Sequence, residues 1–370
     1  MELFGRLSAW RTLILASDRV YGGRRSRTRW SEGNVEFRTV FTSGYTRNNI
    51  GRILNWVTFV ISTVGRGIVG PRPDVVYASS PPLLVGLAGY MISRIRRVPL
   101  VFEVRDIWPQ TLVDMGAVAA GSRLHRLLVS LERFIYRRSD LVVVLAQGSL
   151  RHVEGSGVDS DQIHFLPNGA EPADFEVDQP LETGIDGFIV VYTGAHGPAN
   201  GLDFVLDAAA DLQADLPQVQ FLLVGAGVDK PRVVERAHSE GLTNVHFMDL
   251  IPKSEIPALL SAVDVGLHVL SDVPVFRFGV SPNKLFDYMA AGLPVITNTP
   301  GEVSEIVSGS EAGLAVAPDG IGEGVRQMVA AGEATRRRWG SNGRDFVETN
   351  RSRRVIARRL EQLLDKAVSE

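Results

Sequence analysis

Short, almost wholly apolar runs recur along the chain, each followed by an amphipathic stretch, and this alternation limits the possible folds more than any other feature. In the first half, "DVVYAS" (Asp74 to Ser79), "LVFEVRD" (Leu100 to Asp106), "LVVVLA" (Leu141 to Ala146) and "IHFLPNG" (Ile163 to Gly169) read as strands. Helical segments such as "RLHRLLVSLERFIYRRS" (Arg123 to Ser139) lie between them. The second half repeats the scheme with "FIVVYTG" (Phe188 to Gly194), "QFLLVGAG" (Gln220 to Gly227), "NVHFMDL" (Asn244 to Leu250), "VDVGLHVL" (Val263 to Leu270) and "PVITN" (Pro294 to Asn298). A strand that is apolar on both faces is buried on both, the condition of a parallel sheet covered by helices on each side. Two such series in 370 residues, too long for one ordinary core, predict two Rossmann-like domains.

The boundary is expected after "FLPNGAEPADF" (Phe165 to Phe175), where Gly, Pro and acids cluster up to Gly187. The segment "SRRVIARRLEQLLDKAV" (Ser352 to Val368) reads as one amphipathic helix able to pack on either domain. Only "TLILAS" (Thr12 to Ser17) and "VEFRTVF" (Val35 to Phe41) offer strands before Asp74, and the Arg- and Gly-rich residues 19–33 are expected to be mobile. A Rossmann-like domain normally opens with a strand and a glycine-rich turn. This sequence begins without either, so the first domain is expected to lack its first strand.

The absence of cysteine excludes disulfides, thiolate metal sites and a cysteine nucleophile, and suits a reducing cytoplasm. Net charge is −3 but unevenly spread: residues 1–160 hold 22 Arg and no Lys, for a balance of +10, whereas residues 161–370 stand at −13. The basic half suits nucleic acid, an anionic membrane or a phosphorylated substrate, and chance clustering in an Arg-rich composition is the plainer alternative. "ILNWVTFVISTVG" (Ile53 to Gly65) and "LLVGLAGYMISRIRR" (Leu83 to Arg97) are too short to span a bilayer. They read as core helices or as a surface resting on acidic lipid.

In "SPNKLFDYMAAGLPVI" (Ser281 to Ile296), Ser281 is predicted to cap a helix with Pro282 at its first position. Lys284 would then stand at about the third helical position, against the helix dipole. A diphosphate in front of the helix reverses that penalty: Lys284 and the amides of Asn283 and Leu285 would all face phosphate oxygens. Asp287, on the same face, is placed for ribose hydroxyls. The alternative is a surface Lys–Asp pair of small energetic consequence. Gly225 and Gly227 in "LLVGAG" follow a strand, at a turn where nucleotides dock or where a simple turn suffices. "YTGAHGPANGL" puts Gly194 and His196 in a loop that backbone flexibility lets approach a ligand, although a solvated loop histidine is the plainer reading. Arg105 and Asp106 end an apolar strand, where open sheets bind ligands and where a structural ion pair is also common. The seven histidines show no metal-ligand spacing, so no metal is expected.

Together "VVYASSPPLLVGLAG", "FEVRDIWPQTLVDMG", "LERFIYRRSDLVVVL", "FLPNGAEPADF", "YTGAHGPANGLDFVLDAA", "FLLVGAG" and "SPNKLFDYMAAGLPVI" resemble glycosyltransferase family 4, of the GT-B fold, and within it the N-acetylfucosaminyltransferase-like enzymes of surface polysaccharide synthesis. The resemblance, over roughly residues 30–365, implies an α/β protein of two Rossmann-like parallel-sheet domains facing a cleft. These would be residues 1–170, with helix 352–370 packing back on them, and residues 171–351. It implies a retaining, metal-independent transfer from a nucleoside diphosphate sugar, with no cofactor. The acceptor, a polyprenyl-diphosphate-linked or free saccharide, would sit on the basic half at the inner face of the plasma membrane, in peripheral contact with anionic lipid and without nucleic acid. Asp287 matches the second glutamate of the family's pair, which binds ribose, and Lys284 would neutralise diphosphate. The first glutamate falls at Gly279, so that carboxylate is missing. His196 becomes a phosphate donor where relatives carry Arg and Lys on this loop, Leu250 and Ile251 fall where backbone holds the base, and Arg105 and Asp106 match a pair near the reacting sugar. The departures at Gly279 and at the N-terminus leave a degenerate, nucleotide-sugar-binding relative as the alternative, ahead of a sugar-nucleotide 2-epimerase, for which too few acid/base side chains are present.

Overall fold

A computed structural model describes residues 3–19, 26, 28–44 and 50–369. The chain divides into two units, one running to Pro167 and including Arg353 onward, the other Asn168–Ser352.

In the first unit, β1 (Thr12–Ser17), β2 (Arg29–Glu32) and β3 (Val35–Val40) form a three-stranded sheet in the order β1-β3-β2. β1 runs parallel to β3, and β2 antiparallel. Residues 29–32 are thus a paired strand within the segment expected to be mobile; residues 20–25 and 27 of that segment lie outside the described residues. A second, all-parallel sheet has the order β4-β5-β6-β7, with β4 at Val76–Ser79, β5 at Leu100–Val104, β6 at Leu141–Val144 and β7 at Ile163–Phe165. Among the described residues no ladder joins the two sheets. β5 and β6 are buried at every position, as both-face coverage requires. On one face Phe102, Val104, Val142 and Val144 meet residues of α1 (Ile50–Val69), α2 (Leu84–Arg96) and α3 (Arg123–Arg138). Ser122 caps α3 by accepting the His125 amide at 3.1 Å. On the other face Val101, Leu141 and Val143 pack against Ile356, Leu360 and Leu364, one stripe of the C-terminal helix Arg353–Ser369.

The second unit holds one parallel six-stranded sheet, built from β8 (Phe188–Thr193), β9 (Val219–Val224), β10 (Val245–Met248), β11 (Val265–His268), β12 (Val295–Thr297) and β13 (Gly313–Ala315). Its order, β10-β9-β8-β11-β12-β13, is the doubly wound order 3-2-1-4-5-6. Apolar clusters cover both faces. Strand order reverses between β8 and β11, so the loops leaving these two strands diverge and open a crevice at their carboxyl ends. The sequence places "YTGAHG" on the first of these loops and, after the second, the helix Asn283–Ala290, α4 here.

Candidate functional site

The floor of this crevice is built by a tyrosine and a glycine. Tyr192, fully buried near the end of β8, donates its hydroxyl to the Ala195 carbonyl at 2.8 Å, and its ring lies under Lys284, whose Nζ is 3.8 Å from the ring centroid. Gly194 follows with φ of +144°, and a Cβ there would stand 2.9 Å from Lys284 Nζ. Glycine is needed at this position both for the backbone angle and for the room the lysine occupies. α4 is fixed from its far side: the Tyr288 hydroxyl lies 2.8 Å from the Thr193 amide and 3.0 Å from Thr193 Oγ1.

Lys284 is the second residue of α4, and Pro282, not Ser281, is the N-cap. Ser281 does not cap because its Oγ accepts the Asn168 amide at 2.9 Å while its carbonyl accepts from Asn168 Nδ2 at 2.5 Å. The Lys284 Nζ is buried, and among the described residues no group accepts a hydrogen bond from it. Burial pushes its pKa down to about 7. Lys230 supplies the contrast. Its Nζ donates to the carbonyls of Gly225 and Met248, each at 2.9 Å, and to Asp249 at 2.6 Å, so it ties the ends of β9 and β10 together and is saturated. An unsatisfied buried ammonium costs several times what a paired one does.

Two buried histidines complete the cluster. His196 is fully buried rather than solvated, because its amide donates to Ala226 O at 2.9 Å and its carbonyl accepts from the Asp229 amide at 3.0 Å. Among the described residues no group meets hydrogen-bond geometry with either ring nitrogen. Burial, then the charges of Lys230 and Lys284, push its pKa down to about 4, with the Val224 backbone opposing. His268, the last residue of β11, escaped the sequence reading. Its Nδ1 is 3.0 Å from Thr297 Oγ1, its Nε2 is unpartnered, and burial and Lys284 push its pKa down to about 3. The signal was a single polar residue inside the run "VDVGLHVL", but its place beside Lys284 depends on the strand order.

Gly225 and Gly227 join the two glycine loops to each other. A Cβ at Gly225 would collide with the Gly194 carbonyl oxygen, and one at Gly227 with that of His196. Asp287 lies one turn beyond Lys284 and is half-buried, Asn283 is exposed, and Leu285 turns its side chain into the core. Leu250 and Ile251 follow β10; Leu250 is 74% exposed, while Ile251 packs on the core. At Gly279 φ is +107°.

Arg105 and Asp106 stand at the carboxyl end of β5, in the first unit. Arg105 pairs not with its neighbour but with Glu103, at 3.7 Å. Glu103, which sequence reasoning passed over, is buried and accepts from Tyr77 Oη at 2.6 Å and Ser79 Oγ at 2.5 Å. Partial burial raises the Asp106 carboxyl, opposed by Arg105. Among the described residues no group of three His, Asp or Glu side chains is arranged to hold a metal ion.

Residues 10–169 match the family profile described as glycosyl transferase 4-like domain, and residues 187–331 that described as glycosyl transferases group 1. A relative from Escherichia coli (strain K12), named as a colanic acid biosynthesis glycosyl transferase, WcaI, is 25% identical over 66% of this chain and 62% of its own length. The 2-deoxystreptamine glucosyltransferase of Streptomyces kanamyceticus is 25% identical over 60% of this chain and 62% of its own length. The chain thus spans about 62% of the length of these curated relatives. Sucrose-phosphate synthase from Thermosynechococcus elongatus superposes with a TM-score of 0.80 at 19% identity, covering 100% of this chain and 92% of that one. Anabaena HepE in complex with UDP-glucose superposes with a TM-score of 0.68 at 19% identity, covering 90% and 87%.

Proposed function

From a chain that carries a glycosyltransferase 4-like domain and a group 1 glycosyltransferase domain on a GT-B architecture, we infer a retaining glycosyltransferase that takes a sugar from a nucleoside diphosphate donor. The observation that carries this reading is the buried, unpartnered Lys284 ammonium beside His196 and His268 in the crevice of the second unit. A diphosphate would supply the missing acceptor. Lys284 and the first amides of α4 would then stabilise charge as it develops on the leaving diphosphate, a role that needs no metal. Asp287 would accept from the ribose hydroxyls, and the backbone at Leu250 and Ile251 would hold the base. Neutral His196 can donate one ring N–H to a phosphate oxygen. Arg105 and Asp106 would orient the reacting sugar and acceptor, with Glu103 holding Arg105.

The acceptor in this reading is a polyprenyl-diphosphate-linked or free saccharide of surface polysaccharide synthesis, as for N-acetylfucosaminyltransferase-like enzymes, used at the inner face of an anionic membrane. Calorimetry with UDP-, GDP-, dTDP- and ADP-sugars tests the donor assignment: Lys284→Ala is expected to weaken the preferred donor by more than about tenfold. Equal affinity in parent and variant would sink it. Gly279, where a carboxylate for the donor sugar is expected, favours a second reading, a nucleotide-sugar-binding relative without turnover; transfer or donor hydrolysis by the protein excludes that.

A further inference from the structure

α1 is amphipathic in an unusual sense. It runs for 20 residues with only two charged side chains, Arg52 and Arg66. Its outward positions recur every fourth residue at 53, 57, 61, 65 and 69, all exposed, and read Ile, Val, Ile, Gly, Val. Leu54 lies beside them; Ile53, Leu54 and Ile61 are 54%, 53% and 66% exposed. The solvent face of a surface helix is ordinarily polar, and this one has no charge along it. The helix is nevertheless firmly seated, with Val60, Val64 and Ile68 against Ala88 and Ile92 of α2, and Trp56 edge-on to Trp108 at 5.7 Å.

The neighbouring helices continue the surface. α2 exposes Met91 and Ile95, and α3 exposes Leu124, Leu127 and Phe134. Tyr90 and Phe134, rings 5.0 Å apart, join these two helices, so the three form one layer. Ten of the seventeen large apolar side chains exposed among the described residues lie on this layer, which makes it a patch rather than scatter. Its charges are one-signed. The three helices carry nine arginines and one acid, Glu132. Glu132 is buried and engaged by Tyr136 and His152, so no acid faces solvent from these helices.

Exposed aliphatics interleaved with arginines, on helices that present no acid to solvent, match one kind of partner. An isologous contact with a second copy would set these arginines against each other. Nucleic acid would use the arginines but leave the aliphatic stripe of α1 in water. A bilayer with anionic lipid satisfies both, aliphatics at the headgroup–acyl boundary and guanidinium groups on lipid phosphates. We propose that the outer face of the α1–α2–α3 layer is the surface by which this protein docks on an anionic phospholipid membrane. The proposal specifies the membrane contact of the function read above and rests on that reading only for its purpose. Docking itself is measured without donor or turnover.

The test is flotation of the full chain with vesicles of phosphatidylethanolamine containing roughly 30% phosphatidylglycerol, against vesicles of phosphatidylcholine alone. Two paired variants probe the two components, Val57→Glu with Ile61→Glu on α1 and Arg123→Glu with Arg126→Glu on α3. Binding is expected to the anionic vesicles only, to weaken with salt, and to fall at least about tenfold in each pair. Circular dichroism and the thermal shift given by a donor, which reports on the other unit, should match the parent. Absence of binding to anionic vesicles, or binding indifferent to both pairs, overturns the proposal. A concentration-dependent dimer that Val57→Glu with Ile61→Glu abolishes would also overturn it, in favour of a second copy on this face. Failure here with donor binding intact would leave the donor site standing.

Discussion

If Lys284 is the diphosphate ligand, donor binding must take up a proton, by an amount that follows from the burial of its ammonium. In the free protein its pKa is pushed down to about 7. Beside a diphosphate, opposite charge favours the ammonium and returns the pKa to its ordinary value of about 10.4 or above. At pH 8 only about a tenth of the free protein carries the charge, so binding takes up about 0.9 proton; at pH 6 it takes up about 0.1. Apparent affinity is level below about pH 6, roughly halves by pH 7, falls about fivefold between pH 7 and 8, and then falls nearly tenfold per unit. A nucleotide sugar is the right probe, because the terminal phosphate of a free nucleotide titrates near pH 6 and would confuse the count. The histidines contribute little, since His196 and His268 begin neutral with pKa values of about 4 and about 3.

The same group sets a stability profile whose sign is opposite to that of a paired lysine. The folded-state pKa lies below the unfolded one, so between about pH 7 and 10.4 the unfolded chain binds more protons and stability rises with pH. The full swing is about 5 kcal/mol at most, from a shift of about 3.5 units at about 1.4 kcal/mol each. Lys284→Met is therefore expected to raise the melting temperature of the free protein near pH 7, to flatten its pH dependence, and to abolish proton uptake. Calorimetry in buffers of differing ionisation enthalpy measures the uptake. A value near zero at pH 8 in the parent, or an unchanged value in Lys284→Met, would refute the assignment of Lys284 as the group that meets the diphosphate.

Gly194→Ala places a methyl 2.9 Å from Lys284 Nζ on a backbone with φ of +144°, so donor affinity is expected to fall more than about tenfold by calorimetry, with some loss of thermal stability. Glu103→Ala strands the Tyr77 hydroxyl and the Ser79 hydroxyl in a buried setting; denaturant melts should show a loss of about 1–3 kcal/mol, while affinity for a nucleoside diphosphate without the sugar that Arg105 is assigned to orient stays at the parent value. Because Lys284 and the helix amides are assigned the diphosphate charge, transfer measured by product release should persist in excess chelator, and a loss restored by a divalent cation would count against that assignment.

What the sequence disclosed was what depends on local pattern. Strands buried on both faces are continuous apolar runs, so β4 to β12 were all visible; β5 to β12 were read one to four residues too long at the carboxyl end, and β4 two residues too long at its amino end. β2 was missed because an edge strand with exposed Arg29, Ser31 and Glu32 has no apolar run to show. β13, three residues long, was too short to register. The start of α4 was misplaced by a cause no local rule contains: the hydroxyl of Ser281 is engaged by Asn168, 113 positions away in sequence. His196 and His268 likewise face one lysine only because β8 and β11 are neighbours where the strand order reverses.

The two lysines that flank His196 show why burial and position alone do not mark a ligand site. Both lie at the start of a helix, at the carboxyl edge of one sheet. Lys230 stands at the first position of its helix and finds two carbonyls and a carboxylate, so its charge is already answered by the protein. Lys284 faces a glycine, a tyrosine ring and two neutral imidazoles, none of which accepts its protons. Folding could have relieved this with one carboxylate beside Lys284, and among the described residues none hydrogen-bonds its Nζ. An internal acid close to Lys284 would restore its charge and compete with an incoming anion. Leaving the ammonium without a counter-charge lowers the stability of the free protein and reserves that energy for a ligand that brings its own negative charge.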